Sequence, residues 1–317
     1  MIAAMARLGN TDLDVFPFCL GGNTFGWASD EAESFAVLDA YAAAGGNFID
    51  TADAYAAWVP GNSGGESEAI IGRWMALRGN RDRMVIATKV GRLTDLADLH
   101  ADTIHKAVEG SLRRLQTDRI DLYYAHGDDD SSIPLAETLG AFDELVRAGK
   151  ARYIAASNYE VHRLGEALRT STATGFASFV ALQPHYNLVE REYETELLPL
   201  CFAGGLACIP YFSLAKGFLT GKYRPGVAVA SVRAEGAARY LDERGIVVLA
   251  SLDAISAAHG STPAAVALAW LLAQPTVVAP IASARTVGQL AELLAFVDLE
   301  LTVDELAELS RVSRPSL

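Results

Sequence analysis

This chain lacks most of the features that would take it out of the ordinary globular class. No apolar run in its 317 residues is long enough for a membrane-spanning helix, and the opening MIAAMARLGN has neither a signal-peptide core nor a cleavage site behind it. A soluble, cytoplasmic protein with no membrane partner is the expectation. Basic charge is scarce too. Only 26 Lys and Arg stand against 39 Asp and Glu, with no run able to neutralise several phosphates, which argues against a nucleic-acid partner. A local positive pocket for one phosphorylated small molecule remains compatible with that sum, because steering depends on where charges sit. Cysteine is rarer still: Cys19, Cys201 and Cys208 are odd in number, lie among apolar residues and form no C-x-x-C pair, so they read as buried reduced thiols. Absent as well are H-x-H, H-E-x-x-H and any cysteine cluster, so no metal site is expected.

What the chain does have is hydrophobic residues, 51% of the total, arranged in short bursts. Eight of these read as strands buried on both faces: 16–21 (FPFCLG), 47–50 (NFID), 84–89 (MVIATK), 121–126 (DLYYAH), 152–157 (RYIAAS), 179–183 (FVALQ), 206–211 (LACIPY) and 277–281 (VVAPI). Between them apolar residues recur at three and four, as in Phe35, Leu38 and Tyr41 or Leu135, Leu139, Phe142 and Leu145, which predicts helices. Alternating strands and helices imply parallel pairing through right-handed crossovers, and eight such units close into an α/β (β/α)8 TIM barrel more naturally than into a doubly wound sheet. Residues 5–16, with an Asn-Thr-Asp turn, predict a small β-hairpin under the barrel floor. Extra helices are expected near the C-terminus, over 238–258 and 262–273, after a Gly/Pro/Ala-rich loop at 217–237. No linker divides 1–317, so one domain is expected.

In such barrels catalytic side chains come from the C-terminal ends of the strands. Asp50 ends the second burst in FIDTADAY with Tyr55 in the loop beyond, Lys89 ends the third and His126 ends the fourth. Taken singly, a strand-end Asp caps loops and a lone His is an ordinary structural residue. Together they describe a chemistry, because a buried charge needs a partner and Asp50 with Lys89 supplies one. An ammonium beside Tyr55 would lower the phenol's pKa and make it a usable proton donor, with His126 holding a carbonyl oxygen.

A proton donor for a carbonyl needs a hydride source, and the glycines at 20–23 (LGGN) and 61–67 (GNSGGES) do not form the G-x-G-x-x-G of a Rossmann site. Barrels bind phosphates beyond strands seven and eight instead. There the chain carries YFSLAKGFLTGK (211–222), with Lys216 and Lys222, and IASARTVGQLAE (281–292), where Arg285 beside a helix start suits a 2′-phosphate. Phe25, Trp27 and Trp58 lie in the first two strand-end loops and are candidates for an apolar substrate pocket.

Over nearly its whole length this pattern resembles the aldo-keto reductase family, and in particular the branch that includes the potassium-channel beta-subunit-like reductases. FIDTADAY, the following GGESE, Lys89 and DLYYAH match that family's Asp-Tyr-Lys-His tetrad in identity and order. The resemblance implies NADPH-dependent reduction of an aldehyde or ketone, a small-molecule carbonyl substrate, with Tyr55 as general acid; NADH is a possible second cofactor. It also implies that Ser157, Asn158 and Gln183 hold the nicotinamide carboxamide, that Tyr211 stacks on its ring, and that Asp50, Gly22 and Asn23 lie on the nicotinamide side. Phe212, Ser213, Leu214, Ala215, Lys216 and Lys222 then correspond to the pyrophosphate wrap, and Ser283, Arg285, Gln289 and Glu292 to the adenosine and 2′-phosphate grip. Two departures bear on affinity and on the choice of NADPH over NADH: Leu293 follows Glu292 where the family often has Asn, and Ser283 replaces a frequent glycine or lysine. After His126 stand Gly127, Asp128, Asp129 and Asp130, where many relatives carry a bulky aromatic or proline; three successive carboxylates cannot face one ion, so a solvated loop is expected. The resemblance admits an alternative, an NADP(H)-binding redox-sensing subunit with little turnover.

Overall fold

The computed structural model describes residues 4–230 and 234–314. A short antiparallel hairpin comes first, β1 (Ala6–Arg7) with β2 (Asp14–Val15). Eight parallel strands follow: β3 (Cys19–Gly21), β4 (Phe48–Asp50), β5 (Val85–Val90), β6 (Ile120–Ala125), β7 (Ala151–Ser157), β8 (Phe179–Gln183), β9 (Ala207–Cys208) and β10 (Ile281–Ala282), in the order β10-β3-β4-β5-β6-β7-β8-β9. The two ends of that order meet. Cys208 bridges Val277, and the Ile281 N–H donates to the Pro210 carbonyl at 3.0 Å, so the sheet closes as the (β/α)8 pattern requires. The last strand lies further along than the 277–281 burst predicts. Pro280 has no N–H to give the ladder, and regular pairing with β3 begins only at Ile281.

The crossovers are helical: α1 (Glu31–Ala43), α2 (Glu66–Arg78), α3 (Ala101–Leu115), α4 (Leu135–Arg147), α5 (Val161–Thr174) and α6 (Leu197–Gly204). Between β9 and β10 come α7 (Ala234–Ala238), α8 (Glu243–Ala258) and α9 (Pro263–Leu272), and α10 (Val287–Leu294) and α11 (Val303–Val312) end the chain. Their ends follow local chemistry. Asp30 caps α1 and exchanges hydrogen bonds with Glu33, and Thr262 caps α9 with Pro263 in its first turn. The helical pattern expected from 238 starts later, because the Asp242 side chain takes the Gly245 N–H and sets the N-terminus of α8 there. The predicted loop 217–237 includes residues 231–233, which lie outside the described residues. No single helix among the described residues is long and apolar enough to cross a membrane.

Alternation along the strands sorts the core into two shells. Leu20, Ile49, Ile86, Tyr123, Ile154 and Leu182 point outward and pack with the helices. Cys19, Phe48, Val85 and Ala87, Leu122 and Tyr124, Ala155, Ala181, Ala207 and Ile281 point inward and pack together, with Leu8, Leu13 and Val15 of the hairpin closing the bottom. All three cysteines are free and buried. Continue the inward parity one step toward the strand ends and it reaches Gly21, Asp50, Lys89, His126, Ser157, Gln183, Tyr211 and Ser283. The top layer of the barrel interior is therefore polar, above apolar layers.

Candidate active site

Lys89 is fully buried, and its ammonium makes three hydrogen bonds: to Asp50 Oδ2 at 2.7 Å, to the Thr51 carbonyl at 2.7 Å and to Tyr55 Oη at 2.9 Å. That matches its three N–H donors. Asp50 is tied on both oxygens, Oδ1 by Gln183 Nε2 at 2.9 Å and Oδ2 by Lys89 and by the Tyr55 hydroxyl at 3.1 Å. Three strand-end groups and Tyr55 from the loop after β4 thus form one connected unit. Its electrostatics differ from the expectation for Tyr55: burial first, then the neighbouring Asp50 carboxylate, push the phenol well above its ordinary pKa. Asp50 lies 3.1 Å from the phenol oxygen against 2.9 Å for Lys89, and desolvation penalises phenolate, so the lysine does not prevail. Tyr55 rests protonated.

His126 continues the β6 direction, and its backbone N–H donates to the Val90 carbonyl at 2.9 Å. Burial, then Lys89 and Arg92, hold its imidazole well below its usual pKa, so it is neutral. Its Nδ1 is buried with no partner among the described residues, which leaves Nε2 as the nitrogen on the cavity side. The rings of Tyr55 and His126 meet edge-on with centroids 6.3 Å apart.

Asp50, Tyr55, His126 and Gln183 line a cavity of about 740 Å³ at the strand ends, while Lys89 is fully buried and off its wall. On one side lie Ser157, Asn158, Gln183 and Tyr211, which satisfy one another: Asn158 donates to the His126 carbonyl at 2.9 Å and accepts from the Tyr211 hydroxyl at 2.7 Å. Tyr211 is backed by the His185 ring, stacked at 5.3 Å. Further along the wall are Phe212, Ser213, Leu214, Lys216 and Lys222, on a loop whose backbone is left-handed at Phe212, Ala215 and Lys216. Such conformations persist only when the surroundings hold them. Here the buried Asn187 amide donates to the Phe212 carbonyl, and Ser213 Oγ donates to the Pro210 carbonyl, both at 2.9 Å. Beyond β10 come Ser283, Arg285, Gln289 and Glu292, with Ser283 donating to Asn23 at 2.7 Å. Among the described residues Lys216, Lys222 and Arg285 have no carboxylate within ion-pair distance.

Besides Lys89, three expected site residues are off the cavity wall. Phe25 is fully buried against the helix-facing core, Ala215 is likewise a core residue, and Gly22 faces Ser67 and the Asp50 carbonyl instead of the cavity. A turn of 3-10 helix at Gly22–Thr24 breaks the strand alternation and rotates Asn23 and Thr24 inward in their place. The wall also takes in residues that the sequence pattern does not single out: Arg92, and Thr262, Pro263 and Ala264 at the start of α9. The Thr-Pro pair was a legible helix-start signal. Trp27 and Trp58 do face the cavity, edge to face at 5.5 Å. The acidic trio is not a plain solvated loop. Asp128 is buried against Arg163, Asp129 clamps Arg92, and only Asp130 turns to its own loop, accepting from Ser132. No group of three or more His, Cys, Asp or Glu among the described residues is placed to hold a metal ion.

A closed parallel barrel with an ionised pair, a phenol and a neutral imidazole at the C-terminal mouth of one deep cavity has the architecture of a barrel enzyme. Residues 17–314 match the model of the aldo/keto reductase family. The chain is 36% identical to the oxidoreductase YrpG of Bacillus subtilis over 96% of its own length and 94% of that protein's. It is 33% identical to protein tas of Escherichia coli, with 96% of each covered, and 33% identical to norsolorinic acid reductase stcV of Emericella nidulans, with 93% and 77% covered. The chain belongs to the aldo/keto reductase family and is an oxidoreductase of that family, whose members use nicotinamide cofactors.

Proposed function

We propose that the protein reduces aldehydes or ketones to alcohols with NADPH, and that Tyr55 is the general acid. The observation that carries this is the Tyr55 hydroxyl, held between Asp50 and Lys89 on the wall of a cavity that also presents neutral His126. A bound nicotinamide supplies the hydride. The chain's own residues do the rest. His126 Nε2 orients the carbonyl oxygen, and the Tyr55 hydroxyl hydrogen swings from Asp50 toward that oxygen and is transferred to it. As negative charge develops on Oη, the Lys89 hydrogen bond becomes one between ions and strengthens, which is stabilisation specific to the transition state. Asp50 and the Thr51 carbonyl hold the lysine still while this happens.

The wall residues fit a phosphorylated dinucleotide. Lys216 and Lys222 bring positive charge with no carboxylate partner among the described residues to the loop after β9, and the amino ends of α9 and α10 open on the same cavity. Ser157, Asn158, Gln183 and Tyr211 are the groups that would meet the nicotinamide, while Arg285, with Gln289 and Glu292 beside it, would meet the adenosine end. Relatives named as oxidoreductase and reductase support the same direction. A panel of aldehydes and ketones, followed by cofactor absorbance with NADPH and with NADH, tests the reading. It predicts NADPH oxidation matched mole for mole by alcohol formed. Tight NADPH binding without turnover on any carbonyl would favour a binding subunit instead.

A further inference from the structure

Arg92 stands outside the Asp50, Tyr55, Lys89 and His126 unit, yet it lines the same cavity. It follows β5 by two residues, and its guanidinium packs against Gly127, the residue after His126. A Cβ added at Gly127 would lie 2.5 Å from Arg92 Nη2, 2.9 Å from Cζ and 3.0 Å from Nε. Gly127 is not among the residues with positive φ, so its backbone suits any amino acid. What glycine supplies there is space, and Arg92 fills it.

Asp129 fixes the guanidinium side-on, taking Nε at 2.8 Å and Nη2 at 2.8 Å. Arg92 in turn keeps the Asp129 carboxyl below its ordinary pKa, so the clamp is ionic. Two of five N–H donors are used this way. Both hydrogens of Nη1 and one of Nη2 have no partner among the described residues, on a side chain 36% exposed. The charge is felt in the site: after burial and Lys89, Arg92 is among the groups that depress His126. A rigid fork with a free edge, held beside the imidazole proposed to orient the carbonyl, is built to receive a planar oxyanion. Trp27 and Trp58 supply an aromatic wall for the body that joins the two groups.

We propose that Arg92 is a specificity-determining residue that selects carbonyl substrates bearing a carboxylate, with Asp129 and Gly127 holding its guanidinium in place; the proposal rests on the carbonyl-reductase reading above. The test compares 4-carboxybenzaldehyde with its methyl ester, which share one aldehyde and differ in the anion. Wild-type protein should favour the acid by about tenfold or more in kcat/KM, the discrimination of one charge-assisted hydrogen bond, mainly through KM. Arg92→Met should bring the ratio to about one. Gly127→Val, which leaves Arg92 in the chain but displaces it, should lower the ratio as well. A wild-type ratio of one, or a ratio that Arg92→Met leaves intact, overturns the proposal.

A second readout separates this from the reductase reading. Binding of 4-carboxybenzyl alcohol and of its methyl ester to the NADP+-saturated protein is followed by tryptophan fluorescence. Arg92-dependent binding of the acid in a protein that reduces neither aldehyde supports the anion site and removes the reductase reading. Binding indifferent to Arg92 in an active enzyme does the reverse.

Discussion

Replacing Lys89 by Met removes three hydrogen bonds at once and leaves the buried Asp50 carboxylate without its ionic partner. Breaking a buried pair from one side costs about 3–5 kcal/mol, most of it the desolvation of the stranded group. Against a total stability of about 5–15 kcal/mol the variant should still fold, with a urea midpoint far below that of the wild type. Adding Asp50→Asn removes the stranded carboxylate. Gln183 and Tyr55 remain beside position 50, and the double variant should recover about 2 kcal/mol or more of the loss. Activity should not return with stability. The Lys89 hydrogen bond to the forming phenolate is charge-assisted, which is about 1.5–3 kcal/mol, or roughly 10- to 100-fold in the chemical step. Urea unfolding followed by fluorescence, with NADPH oxidation on the same samples, reads both quantities. A double variant no more stable than Lys89→Met, or one that regains turnover with stability, refutes the reasoning.

Asp53 is fully buried, neither of its carboxylate oxygens has a hydrogen-bond partner among the described residues, and burial followed by the nearby Glu68 pushes its pKa up to about 8. Between the ordinary carboxylate range and pH 8 the folded state keeps a proton that the unfolded state has lost. Stability contributed by this group is therefore complete at low pH and falls as pH rises toward 8, by up to about 1.4 kcal/mol per pH unit. Urea midpoints of wild type and Asp53→Asn from pH 4 to 9 should diverge across that window and run parallel above it. Arg285→Ala should lower the NADPH-over-NADH preference by roughly 10-fold or more in Kd, read by cofactor fluorescence; an unchanged ratio sinks the 2′-phosphate role. Gly72→Ala, whose added Cβ runs into the backbone of Arg114 and Leu115, should lower the thermal midpoint by an overpacking cost of about 1–3 kcal/mol. A midpoint at the wild-type value would show that the α2–α3 contact yields.

The barrel was legible because its signals are local. Each buried parallel strand is an apolar burst, the α3, α4 and α5 crossovers carry a 3.6-residue period, and parity along β4, β5 and β6 carries Asp50, Lys89 and His126 to one layer. The strand whose bounds shift, β10, is the one where Pro280 breaks the ladder inside an apolar run. Gly22 and Phe25 were misdirected by the 3-10 turn after β3, where neither strand nor α-helix periodicity applies. Arg92 escaped notice because its meaning is non-local: it depends on Gly127 and Asp129, 35 and more residues away, being brought beside it. The pKa direction at Tyr55 was equally out of reach, since it turns on how deeply the phenol is buried and how near Asp50 lies, and neither is a property of spacing.

The most direct test of the central claim is a single-turnover measurement on Tyr55→Phe. The substitution deletes one hydroxyl and keeps the ring against Trp58 and His126. With NADPH bound to wild-type affinity by fluorescence titration, stopped-flow oxidation of the cofactor by a good aldehyde should slow by about 10²- to 10⁴-fold, the usual contribution of a general acid. A Tyr55→Phe protein that binds NADPH normally and reduces the aldehyde at the wild-type rate would contradict the account.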